Sequence, residues 1–186
     1  MTDLISNRFA PVEIGADISA LPDTERQALA RFVDAARVMD ALFLRQVWAG
    51  NETMLQRLAR DLSEHGQARL RTFLLNKGPW SRLDANAPFV PGVPAKPHGA
   101  NFYPIGSSKA EVQRWLDSLP ETDKRTATGF FSVIRRSADG AFTAVPYAAE
   151  YQQELAEAAR LLRDAASLTR EPTLKRFLEL RADAFL

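Results

Sequence analysis

The sequence predicts a mainly α-helical protein with one small β-hairpin, an α+β arrangement in which a helical lobe is wrapped by a proline-rich irregular segment. Three observations carry that reading. Apolar residues recur at helical spacing toward both ends of the chain, Asp139-Gly140 marks a tight turn between two strand-like runs, and the centre is too rich in proline for regular structure. At 186 residues, with 46% hydrophobic and 25% charged side chains, the chain is long enough to bury a core and has the composition of a globular domain. It reads as a single domain or a partial lobe, 1–186, divided into a helical part (1–76), an ordered wrap (77–107), a short helix (108–119), a hairpin (129–147) and two closing helices (148–186).

Residues 22–48 are expected to form one long helix whose inward stripe is Leu29, Val33, Ala36, Phe43 and Val47. Pro22, Asp23 and Glu25 suit its first turn, where a missing N–H is harmless and negative charge meets the positive end of the helix dipole. Gly50 is the expected stop. Asn51 then reads as the N-cap of a second helix to about Asn76, with Met54, Leu58, Leu62, Leu70, Phe73 and Leu74 inward and Gly66 as a point where it could break. Between Gly78 and Gly106 lie six of the eleven prolines and four of the nine glycines. Trp80, Phe89, Phe102 and Tyr103 are interleaved with them, so this segment is expected to pack as an ordered wrap rather than hang as a linker. Ser108 and Glu111 form a capping-box pattern that opens the short helix. Residues 129–136 and 141–147 flank Asp139-Gly140 as the two strands, with at least one edge unpaired. The fifth helix carries Tyr151, Leu155, Ala158, Leu162 and Ala165 on one face, and the sixth, from Pro172, carries Leu174, Phe177, Leu178, Ala182 and Phe185. The chain stops at Phe185-Leu186 still in helical register, which predicts a cut within or just after a buried helix, an exposed apolar patch there, and Phe185 without its partners.

Charge excludes several function classes. With 24 Lys+Arg against 23 Asp+Glu the formal net charge is +1, so no overall field favours nucleic acid or an anionic membrane. No signal-peptide core or membrane-length apolar run is present, and there is no cysteine for a disulfide, a thiolate metal site or a thiol nucleophile. A cytoplasmic location is expected, with the periplasm as the alternative if a signal peptide once preceded the chain.

Motifs for chemistry are sparse. The two histidines, His65 and His98, cannot build a histidine-based metal centre alone; Asp61 and His65 share an i, i+4 spacing, read as a surface pair rather than two ligands. The Ser107-Ser108 pair reads as a helix cap, and the basic stretch Arg57, Arg60, Arg69, Arg71 and Lys77, broken by Asp61 and Glu64, as a solvated face. Asp40, in the apolar stripe of the first helix, is expected to form a buried or half-buried ion pair with Arg37 or Arg45.

Two runs are distinctive: Asn76-Lys77-Gly78-Pro79-Trp80-Ser81-Arg82-Leu83-Asp84, and Lys96-Pro97-His98-Gly99-Ala100-Asn101-Phe102-Tyr103-Pro104. With the helix around Met39-Asp40, the hairpin running into Val145-Pro146-Tyr147, and Phe177-Leu178 to Arg181-Ala182, they resemble the N-terminal region of bacterial dipeptidyl-peptidase III zinc peptidases. That family holds zinc with H-E-x-x-G-H and a glutamate from a later E-E-x-R-A-D motif. The string Leu178-Glu179-Leu180-Arg181-Ala182-Asp183 is superficially like the second motif, but Leu178 replaces its first acid and no H-E-x-x-G-H precedes it, so an amphipathic helix explains it. The turn Ile105-Gly106-Ser107 also departs from the family, where an acid commonly precedes the helix. Relatives in some organisms carry a Nudix hydrolase domain in front, and this chain has no Nudix box.

The resemblance implies a two-lobed enzyme with a peptide substrate lying along β-structure of one lobe. This chain would form a non-catalytic part of that lobe, with no metal or cofactor of its own, and its partner would be the zinc-bearing C-terminal part of its own parent protein. Asn76, Gly78, Trp80, Asn101 and Tyr103 are then the substrate-side residues, with no catalytic or metal-ligating residue in the chain. The alternative is a stand-alone helical protein-interaction module without enzymatic role.

Overall fold

A computed structural model describes residues 8–186. Helix α1 spans Asp23–Val47, α2 Asn51–Ala59, α3 Glu64–Asn76, α4 Lys109–Ser118, α5 Glu121–Ala127, α6 Tyr147–Glu150, α7 Gln152–Leu168 and α8 Pro172–Asp183. Strands β1 (Trp80–Ser81) and β2 (Ala87–Pro88) pair antiparallel, as do β3 (Ser132–Arg136) and β4 (Phe142–Pro146). Among the described residues the fold is therefore mainly α with a small hairpin, as the sequence predicts. Residues 1–7, included in the helical part expected over 1–76, lie outside the described residues, and residues 8–22 carry no helix. No helix is long and apolar enough to cross a membrane among the described residues.

The described residues divide into two compact units, one of residues 8–13 and 43–108, the other of residues 14–42 and 109–186. The first unit has its core where Leu44, Met54, Leu58, Phe73 and Val90 meet, with Trp48, Leu55, Leu70, Phe89 and Val93 around them. The proline-rich segment thus supplies core residues, which is why it is ordered without regular structure. Two helices replace the single one expected over 51–76, and the break lies at 60–63, ahead of Gly66. Ser63 caps α3 by accepting the Gly66 N–H at 3.0 Å, and Gly66 sits where any Cβ would collide with Asp61. Leu62, expected inward, is 83% exposed in that break, and Leu74 is exposed as well. Gly50, not Asn51, occupies the cap position of α2.

The second unit is centred on three helices. Ala28 and Ala35 of α1, Ala159, Leu161, Leu162, Ala165 and Ala166 of α7, and Leu178 and Ala182 of α8 form its core. Burying a leucine such as Leu162 or Leu178 contributes about 1.5–3 kcal/mol. The helix expected over 22–48 is present, but its face is not the expected one: Leu29, Val33, Ala36 and Phe43 are exposed, and the small Ala28 and Ala35 turn inward. Ala28 and Ala35 pack against the core of α7 and α8, and the bulkier residues lie on the flank. Asp40 is exposed rather than half-buried. The inward face expected for α7 is found, since Tyr151, Ala158, Leu162 and Ala165 are buried. α8 starts at Pro172 as expected but leaves the helix after Asp183, and Phe185 packs against the core instead of lacking partners.

The hairpin register pairs Ser132 with Pro146 through Arg136 with Phe142. Its turn is closed by the Asp139 carboxylate, which accepts from Ser137 Oγ at 2.6 Å and Ala141 N at 3.2 Å. Arg136 crosses to Glu111 of α4 at 2.6 Å and lies 4.3 Å above the Phe142 ring, which also meets Trp115. Arg135 grips Glu150 at 2.6 Å. The helix α5 is not expected from the sequence, where polar Glu121–Ala127 has too few apolar residues to show a stripe.

The first turn of α1 is clasped to the α7–α8 link. Glu25 accepts from Arg170 N and Thr169 Oγ1, each at 2.7 Å, and the two bonds hold its carboxyl below its ordinary value of 4.5. A lowered folded-state pKa contributes stability that is present above the unfolded-state value and lost as pH falls through the folded one. We predict that Glu25→Gln lowers the urea midpoint near neutrality, and that its deficit against wild type shrinks as pH falls below about 4, as read from urea titrations across pH.

Candidate functional site

The five residues expected on the substrate side lie in the first unit, along the wrap and the end of α3. α3 ends at Asn76, and Lys77 adopts a left-handed conformation as its C-cap (φ 55°). Asn76 is buried: its amide donates to Thr72 O at 2.9 Å and its Oδ1 accepts from Arg82 N at 3.0 Å. Gly78 donates its N–H to Phe73 O at 3.1 Å, and a Cβ there would lie 3.3 Å from the Trp80 ring. Trp80 is only 2% exposed; its indole N–H donates to Pro94 O at 2.9 Å and its ring meets Trp48 edge-on at 5.2 Å. Asn101 is half-buried, donating from its side chain to Arg45 O at 2.8 Å and from its backbone to Gln46 O at 2.9 Å. Tyr103 is exposed beside Gly99.

Asn76, Gly78, Trp80 and Asn101 therefore anchor the wrap to the ends of α1 and α3, and of the five Tyr103 alone has a widely exposed side chain. Trp80 is a core plug whose one polar atom is satisfied. Sequence reasoning missed Asn51, fully buried, whose Nδ2 donates to Leu44 O at 2.9 Å and Lys77 O at 3.2 Å. Its position after Gly50 signals a cap, and only the path of the chain reveals the clamp.

Charge at the mouth of the segment is paired. Asp84 accepts from Ser81 Oγ at 2.6 Å and from Arg8 at 2.8 and 2.9 Å, and the Ser81 bond, then Arg8, holds its carboxyl below the usual range. Asp61 lies outside both flanking helices and accepts from Ser63 N and Oγ, bonds that lower its pKa, so it shares no helix face with His65. Ser107 donates to Pro104 O at 2.7 Å as part of a turn. In the second unit, a groove between α7 and α8 lined by Arg163, Lys175, Arg176, Glu179 and Asp183 has mixed charge, with Arg163 bound to Asp183 at 2.8 Å.

Zinc held by three side chains does not fit what is present: both histidines are exposed, and no three His, Cys, Asp or Glu side chains converge among the described residues.

Removing the Trp80 ring leaves a large cavity and an unsatisfied Pro94 carbonyl. Trp80→Ala is expected to cost about 3–5 kcal/mol of stability in chemical denaturation. Ala85 sits at φ 50°, a left-handed conformation that costs an alanine about 1–2 kcal/mol. Ala85→Gly is accordingly expected to raise the denaturation midpoint, by roughly 0.5–1 kcal/mol after the added unfolded-state entropy.

No family model matches the chain. The structure of dipeptidyl-peptidase III from Corallococcus sp. strain EGB is 57% identical, with a TM-score of 0.94, over 100% of this chain and 34% of that one. The structure of DPP III from Caldithrix abyssi is 38% identical, with a TM-score of 0.91, over 99% of this chain and 34% of that one. Nudix hydrolase 3 of Arabidopsis thaliana is 32% identical over 233 residues, which cover 96% of this chain and 30% of that protein. The chain thus spans about a third of the length of these relatives. Its neighbours among solved structures are thus dipeptidyl-peptidase III structures, matched over the whole of this chain and about a third of theirs, a match consistent with an N-terminal region of such a protein.

Proposed function

We propose that this chain is a non-catalytic part of a dipeptidyl-peptidase III-like zinc hydrolase and builds part of the lobe that borders the substrate cleft. The observation that carries the reading is the end-to-end likeness to the Corallococcus structure at 57% identity, together with a sequence that contains no H-E-x-x-G-H. Peptide hydrolysis on zinc needs three protein ligands and an activated water. Those would come from the zinc-bearing remainder of the parent protein, which is the partner in this reading. This region would contribute scaffold: the wrap held by Trp80 and Asn101 presents Tyr103, and the hairpin offers an edge strand, open among the described residues, for an extended peptide. The name of the plant relative does not argue for Nudix chemistry here, because the match covers 30% of that protein and this chain carries no Nudix box.

The reading frame downstream of the Leu186 codon tests the assignment: it is expected to continue into H-E-x-x-G-H, and a stop codon there would favour a stand-alone interaction module. The purified 186-residue chain is also expected to carry far less than one zinc and to release no naphthylamide from dipeptidyl-naphthylamides, by elemental analysis and a fluorescence assay with added zinc. Stoichiometric zinc with chelator-sensitive turnover would overturn the reading.

A further inference from the structure

Within the second unit, the three core helices differ in their outer faces. α7 has the face of a helix in water: Glu157, Arg160 and Asp164 form a surface ion network, and none of its large apolar residues is exposed. α1 and α8 do not. Leu29, Phe32 and Val33 of α1, at i, i+3 and i+4, are 39%, 44% and 40% exposed. Leu174, Phe177 and Leu180 of α8, three residues apart, are 40%, 48% and 49% exposed. Each stripe is rimmed by charge: Arg31, Asp34 and Arg37 form ion pairs beside the first, and Arg181 lies 5.8 Å over the Phe177 ring beside the second. An apolar centre with a charged rim is the anatomy of an interface.

We propose that these two stripes seat the portion of a full-length dipeptidyl-peptidase III chain that lies outside this region, an inference that rests on the functional reading above. The solved relatives keep this region's fold at TM-scores of 0.94 and 0.91 while it makes up only 34% of each, so about two thirds of the same chain is available as a neighbour. Covalent continuity also decides between occupants. A tethered segment acts at an effective concentration in the millimolar range, far above that of a second copy free in the cell. The outward face of α7 stays in water, which explains why its charge is conventional and that of its neighbours is not.

The test compares the 186-residue chain with a chimera in which it replaces the matching third of the Corallococcus enzyme. Phe32→Ser with Val33→Ser, and Phe177→Ser with Leu180→Ser, are expected to lower the thermal midpoint of the isolated chain by several degrees, because these side chains are already about half-buried there, and to lower that of the chimera by about 5 °C or more beyond that. Gln153→Ser on the outer face of α7 is expected to do neither. Equal shifts in both proteins overturn the proposal. So does an isolated chain that is dimeric by light scattering and made monomeric by the stripe substitutions while the chimera ignores them, which would assign the face to a second copy. Should the chimera not fold, the substitutions are placed at the matching positions of the intact Corallococcus enzyme, where a drop in thermal midpoint of about 5 °C or more beyond that of the isolated chain supports the proposal and no such drop overturns it. Chelator-sensitive release of dipeptides by the unsubstituted chimera reports on the functional reading separately. An active chimera indifferent to the stripes sinks only this proposal, and an inactive but stripe-sensitive one sinks only the cleft-lobe reading.

Discussion

The buried amide of Asn51 sets the path of the first unit. Its two N–H donors satisfy Leu44 O, in the last turn of α1, and Lys77 O, just past the end of α3. Leu44 O already accepts the Trp48 N–H at 3.3 Å, so the amide adds a second bond there and ties it to Lys77 O, which lies beyond its own helix. A neutral side chain does this without bringing a charge into the core. Once Lys77 is held and turned left-handed, Gly78 and Trp80 have one direction available, and Trp80 arrives between Trp48 and the Pro94 carbonyl. The whole proline-rich wrap is threaded from that point.

The second unit obeys a different constraint, a core built largely from alanine, with α7 and α8 as its closely packed pair. Ala28, Ala35, Ala159, Ala165, Ala166 and Ala182 all sit in its core. Small side chains give little burial each, but they let the leucines of α7 and α8 interlock between closely spaced backbones. Leu29, Phe32 and Val33 of α1 lie outside that core, on its flank.

This also explains what the sequence could and could not disclose. Element existence was legible wherever periodicity ran long or turn chemistry was strong: α1, α7, α8 from Pro172, and the hairpin around Asp139-Gly140 are where the residues indicate. The face of α1 was not, because a hydrophobicity pattern weights Phe and Leu above Ala, and the packing partner decides in favour of Ala. The break near Leu62 depends on the Ser63 cap and the contact of Gly66 with Asp61, which only the folded loop brings together. In the candidate site the residue identities were legible and their exposure was not. Trp80 and Asn76 look like contact residues in a string, and their hydrogen bonds to Pro94, Thr72 and Arg82 turn them inward.

The clasp between Glu25 and the Thr169–Arg170 link joins residues 145 positions apart, and the core of the second unit has the same long reach. A ribosome adding about 5–20 residues per second would complete Ala28 and Ala35 on the order of ten seconds before Leu178 and Ala182 exist to cover them. During that interval the inward and outward faces of α1 are both bare. The nascent helix is then a far more hydrophobic object than the finished one, and its exposure to chaperones or to neighbouring nascent chains is set by chain order, since no local contact can shorten the wait.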